Sequence, residues 1–157
     1  MKACVYPGSF DPVTKGHLDI IERASTIFPV VYVGVLNNVS KKCMFSVQDR
    51  IKMAQAATAH LKGVEVLAFD GLLVDLLKKL DTRIIIRGLR TGTDLELEQQ
   101  LAFINGKLLP GTETLALLSK PETHFISSSA VKELIAFKAD ISEYVPKEIL
   151  GMIDKGE

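Results

Sequence analysis

Apolar residues fall along this chain in two alternating rhythms. Short runs without internal alternation occupy Ala3 to Tyr6, Val30 to Leu36, Val64 to Phe69, Arg83 to Ile86 and Thr114 to Leu118. Their length and composition predict strands covered on both faces. Between them lie stretches at helical spacing, such as Leu18, Ile21, Ala24 and Phe28 before Pro29, and Leu97, Leu101, Ile104 and Leu108 before Pro110. Strand then helix recurs about five times, which predicts one doubly wound α/β domain over residues 1–157, built on a single parallel five-stranded sheet. Helix starts are marked as well: Ser46 with Asp49 resembles a capping box, Asp94 precedes a periodic run, and Pro146 suits a first helical position.

Composition narrows the class without changing the fold. The chain has 157 residues, 47% of them hydrophobic, and 19 basic residues balance 19 acidic ones. This is the make-up of a globular domain with a real core, and the neutral balance argues against nucleic acid or a membrane surface as partner. Any basic character must be local. No apolar run approaches the ~18 residues of a membrane span, and the N-terminus lacks a signal-peptide pattern, so the expected compartment is the cytoplasm. Cys4 and Cys43 are not in a CxxC arrangement, which argues against a disulfide or metal role.

In a doubly wound sheet, ligands bind outside the carboxyl ends of the strands. The junctions to inspect are therefore Tyr6 to His17, Asn37 to Ser46, Asp70 to Leu73, Arg87 to Asp94 and Ser119 to Ser129. The first, Tyr6-Pro7-Gly8-Ser9-Phe10-Asp11-Pro12-Val13-Thr14-Lys15-Gly16-His17, feeds a helix whose positive end favours an anion, with Ser9 and backbone N–H groups free to donate. His17, in the first turn of that helix, is a better functional candidate than His60, near a helical C-terminus, or His124, which stays undecided; a local capping role is its bland alternative.

Arg87 and Arg90 flank Gly88 and Leu89 at a strand end, where two guanidinium forks can converge on a phosphate. Ser127, Ser128 and Ser129 precede an apolar periodic run, so they can cap a helix and serve an anion together. Lys41 and Lys42 read as an ordinary exposed pair. Asp94 and Glu98, four apart on one helix face, read as solvated charges, with a ribose contact as the sharper alternative. Several phosphate donors without a nucleophile pair suggest transfer between phosphate-bearing substrates. There is no Walker A loop, and no GxGxxG follows the first strand.

Taken in order, the Tyr6 to Asp11 turn with Thr14-Lys15-Gly16-His17, Ser40-Lys41-Lys42, Ile86-Arg87-Gly88-Leu89-Arg90 and Phe125-Ile126-Ser127-Ser128-Ser129 resemble the bacterial phosphopantetheine adenylyltransferases. These are nucleotidyltransferases with an HxGH-type motif and a Rossmann-like fold; Thr14 stands in the first histidine's place, as is usual for this branch. The resemblance implies adenylyl transfer from ATP, accompanied by Mg2+, to 4′-phosphopantetheine, giving dephospho-coenzyme A and pyrophosphate. It also implies a homo-oligomer, commonly a hexamer, and feedback binding of coenzyme A.

Carried over by position, the resemblance gives His17, Lys41 and Arg90 the catalytic role, with Ser9 and His17 on the α-phosphate. Ser9, Lys41, Leu73 and Arg87 would bind phosphopantetheine, Lys41 and Arg87 through its phosphate. ATP would meet Ser9, Phe10, His17, Gly88, Leu89, Arg90, Glu98 (ribose), Thr123, His124, Phe125, Ile126, Ser127, Ser128 and Ser129. No residue is assigned as a metal ligand. The chain departs from the family pattern at Cys43, Leu97, Gly106 and Thr123. Two other readings stay open: a related cytidylyl- or nicotinamide-mononucleotide-type transferase, or a nucleotide-sensing module without turnover.

Overall fold

A computed structural model describes residues 3–37 and 42–153. Five strands, β1 (Ala3–Gly8), β2 (Val30–Leu36), β3 (Val64–Phe69), β4 (Ile84–Leu89) and β5 (Glu113–Leu118), alternate with helices α1 (Lys15–Ile27), α2 (Val47–Thr58), α3 (Leu73–Lys79), α4 (Gly92–Leu108) and α5 (Ser128–Ala136). A 3-10 turn at Pro121–Thr123 precedes α5, and another at Lys147–Ile149 leads into the short α6 (Leu150–Ile153). The strands form one parallel sheet in the order β3-β2-β1-β4-β5. The doubly wound prediction therefore holds, and strand order reverses between β1 and β4.

Side chains alternate across the sheet with period two. Cys4, Tyr6, Val31, Val33, Val35 and Ile86 enter a core with Ile20, Ile21 and Ala24 of α1, Met53 and Ala57 of α2, and Val131 of α5. Val5 and Ile85 point the other way, into a smaller core with Val74, Leu76 and Leu77 of α3. Glycine serves this packing at Gly88, where a Cβ would stand 3.0 Å from Ile20 Cγ1. Burial pushes the Cys4 thiol up to about 12, so at neutral pH it behaves as a small apolar side chain.

Four expectations need correction. The apolar run at Arg83 to Ile86 underestimates β4, which continues through Arg87, Gly88 and Leu89 because these pair with Ala116, Leu117 and Leu118 of β5. Asp94 does not precede its helix; it is the third residue inside α4, and Thr91 is the N-cap. Pro146 is likewise one place early, as N-cap of the 3-10 turn. Coverage on both faces also fails at the sheet edge, since no residue of β5 or α4 is buried. Uninterrupted apolar sequence marks a surface to be covered and does not say that the same chain covers it.

Candidate active site

The β1–β4 ladder is registered at Val5↔Ile85, after which both strands run on to Gly8 and Leu89. Pro7 has no N–H to offer a neighbouring strand. Its carbonyl instead accepts from Arg87 Nη1 at 2.7 Å. The parting of these strands at the switch point opens a cleft of about 370 Å3. It is walled by Tyr6 to Phe10 on one side and by Arg87, Gly88 and Arg90 on the other, with Ser119, Thr123 and Ile126 to Ser129 beyond.

Three helix N-termini meet here. Thr14 caps α1, Thr91 caps α4 and Ser127 caps α5, each accepting from a backbone N–H three residues on. Thr14, Gly16, His17, Asp94, Ser127, Ser128 and Ser129 from these turns all line the cleft. Converging positive helix ends suit a ligand with several negative charges. Ser127 carries the cap that its sequence predicts, while Ser128 Oγ donates to Pro12 O at 2.9 Å and so locks α5 to the first turn.

His17 takes the capping role, and it also lines the cleft. Its Nδ1 accepts the Thr14 N–H at 3.1 Å, closing the capping box. A nitrogen that accepts a backbone proton carries none, so in the neutral ring the proton sits on Nε2. Burial first, then the charges of Arg90 and Arg87, lowers the imidazole from 6.5 to about 4. At neutral pH His17 is therefore an uncharged donor. Phe10, at φ 47°, packs edge-on against it with ring centroids 5.0 Å apart.

Both arginines have partners within the chain. Arg87 Nη2 pairs with Glu98 Oε1 at 2.5 Å, and its buried Nε has no acceptor among the described residues. Arg90 Nε lies 3.5 Å from Asp94 Oδ2, and its Nη1 donates to Ile126 O at 3.4 Å. Burial alone would raise the Asp94 carboxyl, but the N–H groups of Arg90 and Thr91 and the Arg90 guanidinium outweigh it and hold it below its ordinary value. The expectation of solvated charges at Asp94 and Glu98 is thus overturned. Because β4 runs on past Ile86, Arg87 faces α4 across the cleft, where the carboxylate of Glu98, in the second turn of the helix, reaches it. An orphaned donor on Arg87 is a place for an anionic oxygen of a ligand.

Among the expected site residues, Ser9, Phe10, His17, Arg87, Gly88, Arg90, Glu98, Thr123, Ile126, Ser127, Ser128 and Ser129 share this cleft. Leu89 is buried in the sheet, Leu73 opens α3 against the smaller core, and neither lines it. His124 and Phe125 pack edge to face beside the cleft, Phe125 being 90% exposed. Ser40 and Lys41 fall outside the described residues. Tyr6, which the sequence places in the first junction without a role of its own, also lines the cleft. It ends an apolar strand, and burial, only partly offset by Arg87 and Arg90, keeps its phenol protonated by raising it well above the ordinary range.

The cytidylyltransferase-like family matches residues 5–134. Phosphopantetheine adenylyltransferase of Clostridium botulinum (strain Eklund 17B / Type B) is 47% identical over 151 residues, covering 96% of this chain and 95% of its own. The enzyme of the same name from Syntrophomonas wolfei is 49% identical over 155 residues, covering 99% and 96%. A solved structure from Vibrio parahaemolyticus, described as a nicotinate-nucleotide adenylyltransferase, superposes with a TM-score of 0.74 over 99% of this chain and all of that one, at 20% identity, and speaks for the fold alone. The chain belongs to the cytidylyltransferase-like nucleotidyltransferases and, within them, to the phosphopantetheine adenylyltransferase family.

Proposed function

We propose that this protein transfers the adenylyl group of ATP to 4′-phosphopantetheine, giving dephospho-coenzyme A and pyrophosphate in coenzyme A biosynthesis. The observation that carries the reading is the neutral His17 donor set among three helix N-termini at the sheet's switch point. In the reaction an oxygen of the acceptor phosphate attacks the α-phosphorus, and the bond from that phosphorus to the pyrophosphate oxygen breaks. The attacking phosphate has a second pKa of about 6, so near neutrality it is largely ionised and needs no general base. What it needs is relief from repulsion and an in-line approach.

The chain's own groups meet that need in distinct ways. His17 Nε2–H and Ser9 donate to the α-phosphate as charge develops on it, and Thr14 keeps the imidazole in the donating tautomer. Arg90 and the α4 start hold the β,γ-phosphates, while Ser127 to Ser129 and Thr123 line the nucleotide side. Arg87 and Lys41 take the acceptor phosphate. Glu98, drawn to the ribose hydroxyls, leaves Arg87 freer to bind that phosphate.

Magnesium is proposed to arrive on the nucleotide. Mg2+ commonly keeps its waters and binds substrate phosphates with few protein ligands, and the cleft fits this, because Asp94 and Glu98 are engaged with arginines. When bound, the ion neutralises charge on the phosphate chain. A homo-hexamer is proposed from the exposed apolar side chains of α4 and β5, including Phe103 at 67% and Leu118 at 71% exposure. Coenzyme A, which shares the product's chemistry, is proposed as feedback ligand of the same cleft. No helix among the described residues is long and apolar enough to cross a membrane. The cytoplasm is the proposed compartment, in keeping with two free thiols.

Pyrophosphate release on mixing the protein with ATP, Mg2+ and phosphopantetheine tests the activity. Substituting CTP for ATP, or nicotinamide mononucleotide for the acceptor, should abolish it. Tight ATP binding without product would favour the sensing module instead.

A further inference from the structure

The helix α2 turns Arg50 inward together with Met53, Ala54 and Ala57, leaving it 2% exposed. This is the spacing of a buried helical stripe, where a charged side chain is costly unless it is well bonded. Among the described residues no carboxylate pairs with it. Its donors go to backbone carbonyls: Nη1 to Ser9 O at 2.7 Å and to Leu36 O at 2.9 Å, and Nε to Phe45 O at 3.2 Å. Those carbonyls belong to the first turn, the end of β2 and the residue before the Ser46 cap of α2. A methionine could fill similar space, but it could not supply three directed donors.

The bond to Ser9 has a consequence at the reacting centre. The Ser9–Phe10 peptide is planar, so its C=O and N–H point in opposite directions. Holding the carbonyl toward α2 turns the Phe10 N–H away from it, and both residues line the cleft. Phe10 sits in the left-handed region at φ 47°, which a residue with a Cβ disfavours, so this turn has to be held. Asp11 ties the same segments from the other side, its carboxylate accepting the N–H groups of Met44 and Phe45 at 2.9 Å each and pairing with Lys132 of α5 at 3.2 Å.

We propose that Arg50 is a positioning residue for the transfer reaction: one buried guanidinium presents the Ser9–Phe10 donors to the α-phosphate and sets both described ends of the β2–α2 connection relative to them. The inference rests on the adenylyltransferase reading. It is tested in the full chain with Arg50→Met and Arg50→Lys, by initial rates of pyrophosphate release with ATP and phosphopantetheine varied separately, alongside thermal unfolding. Arg50→Met should lose kcat on the order of 10²-fold per folded molecule, as misplacement of a reacting group does, with KM for ATP changed less than about threefold. Arg50→Lys, which keeps the charge and some of the bonds, should recover about tenfold of that loss.

A purely structural role would lower the folded fraction and leave kcat per folded molecule unchanged; either variant folded at wild-type kcat overturns the proposal. Should Arg50→Met fail to fold, Arg50→Lys decides alone, a loss of about tenfold supporting the proposal and wild-type kcat overturning it. A wild-type protein that releases no pyrophosphate overturns the adenylyltransferase reading itself, and this inference falls with it.

Discussion

The backbone N–H of Thr14 donates to Nδ1 of His17 at 3.1 Å, so the residue that caps α1 also fixes which ring nitrogen carries the proton. That donor is backbone; the threonine side chain adds the other half of the capping box, its Oγ1 accepting the His17 N–H at 3.3 Å. Replacing His17 by alanine removes one oxyanion-type donor, expected to cost about 3–4 kcal/mol in the barrier, or 10²- to 10³-fold in kcat. Steady-state kinetics of His17→Ala, with a melting curve to show that the fold survives the lost cap, reads this out.

The low pKa of His17 also predicts a pH dependence of stability. Between pH 6.5 and about 4 the unfolded chain binds a proton at this residue that the folded chain refuses. Stability therefore rises with pH through that window and is lost as pH falls through it. The drop in Tm between neutral and mildly acidic pH should be smaller in His17→Gln than in the wild type; equal drops would contradict the account. Activity should show no acidic limb from His17 near 6.5, only the limb of the acceptor phosphate near a pKa of about 6.

Arg87 and Glu98 are each half of a pair, with the Glu98 side chain only 12% exposed. Arg87→Met strands that carboxylate and should destabilise the fold by roughly 2–4 kcal/mol in urea unfolding, while raising KM for phosphopantetheine more than KM for ATP. Glu98→Gln should do the opposite to the two KM values at a smaller cost of about 1 kcal/mol. A matching rise in both KM values for both variants would remove the division of labour between them.

At Gly88 a Cβ would lie 3.0 Å from Ile20 Cγ1. Gly88→Val should press α1, and with it His17, off the sheet, at a cost of about 1–3 kcal/mol in stability, measured by denaturant unfolding. A paired loss of kcat is expected, since the same helix carries the donor.

The exposed apolar surface of α4 and β5 gives a test of assembly. Placing charge there, as in Leu118→Glu with Phe103→Glu, should shift the protein from a homo-oligomer to smaller species in analytical ultracentrifugation. A wild type that sediments as a monomer would remove the hexamer proposal.

Much of this was legible from residue order because strand, turn and helix cap each carry local signatures. Periodicity located all five strands, and the junction rule drew attention to the turns that form the cleft. Less legible were features that depend on what lies across space. Arg87 and Glu98 are eleven residues apart and meet only because β4 runs past Ile86. Nothing local says that α4 lacks cover, since Leu97, Leu101 and Ile104 have the spacing of a buried face. Arg50 did leave a trace, an arginine on the apolar stripe of α2, but its three carbonyl partners come from segments that only the fold brings together.

The most direct test of the central claim is the rate of pyrophosphate release from ATP and Mg2+ in the presence of 4′-phosphopantetheine, compared between the wild type and folded His17→Ala. The account predicts turnover that requires the acceptor and falls at least about 10²-fold in the variant. Turnover without the acceptor, or undiminished in His17→Ala, would contradict it.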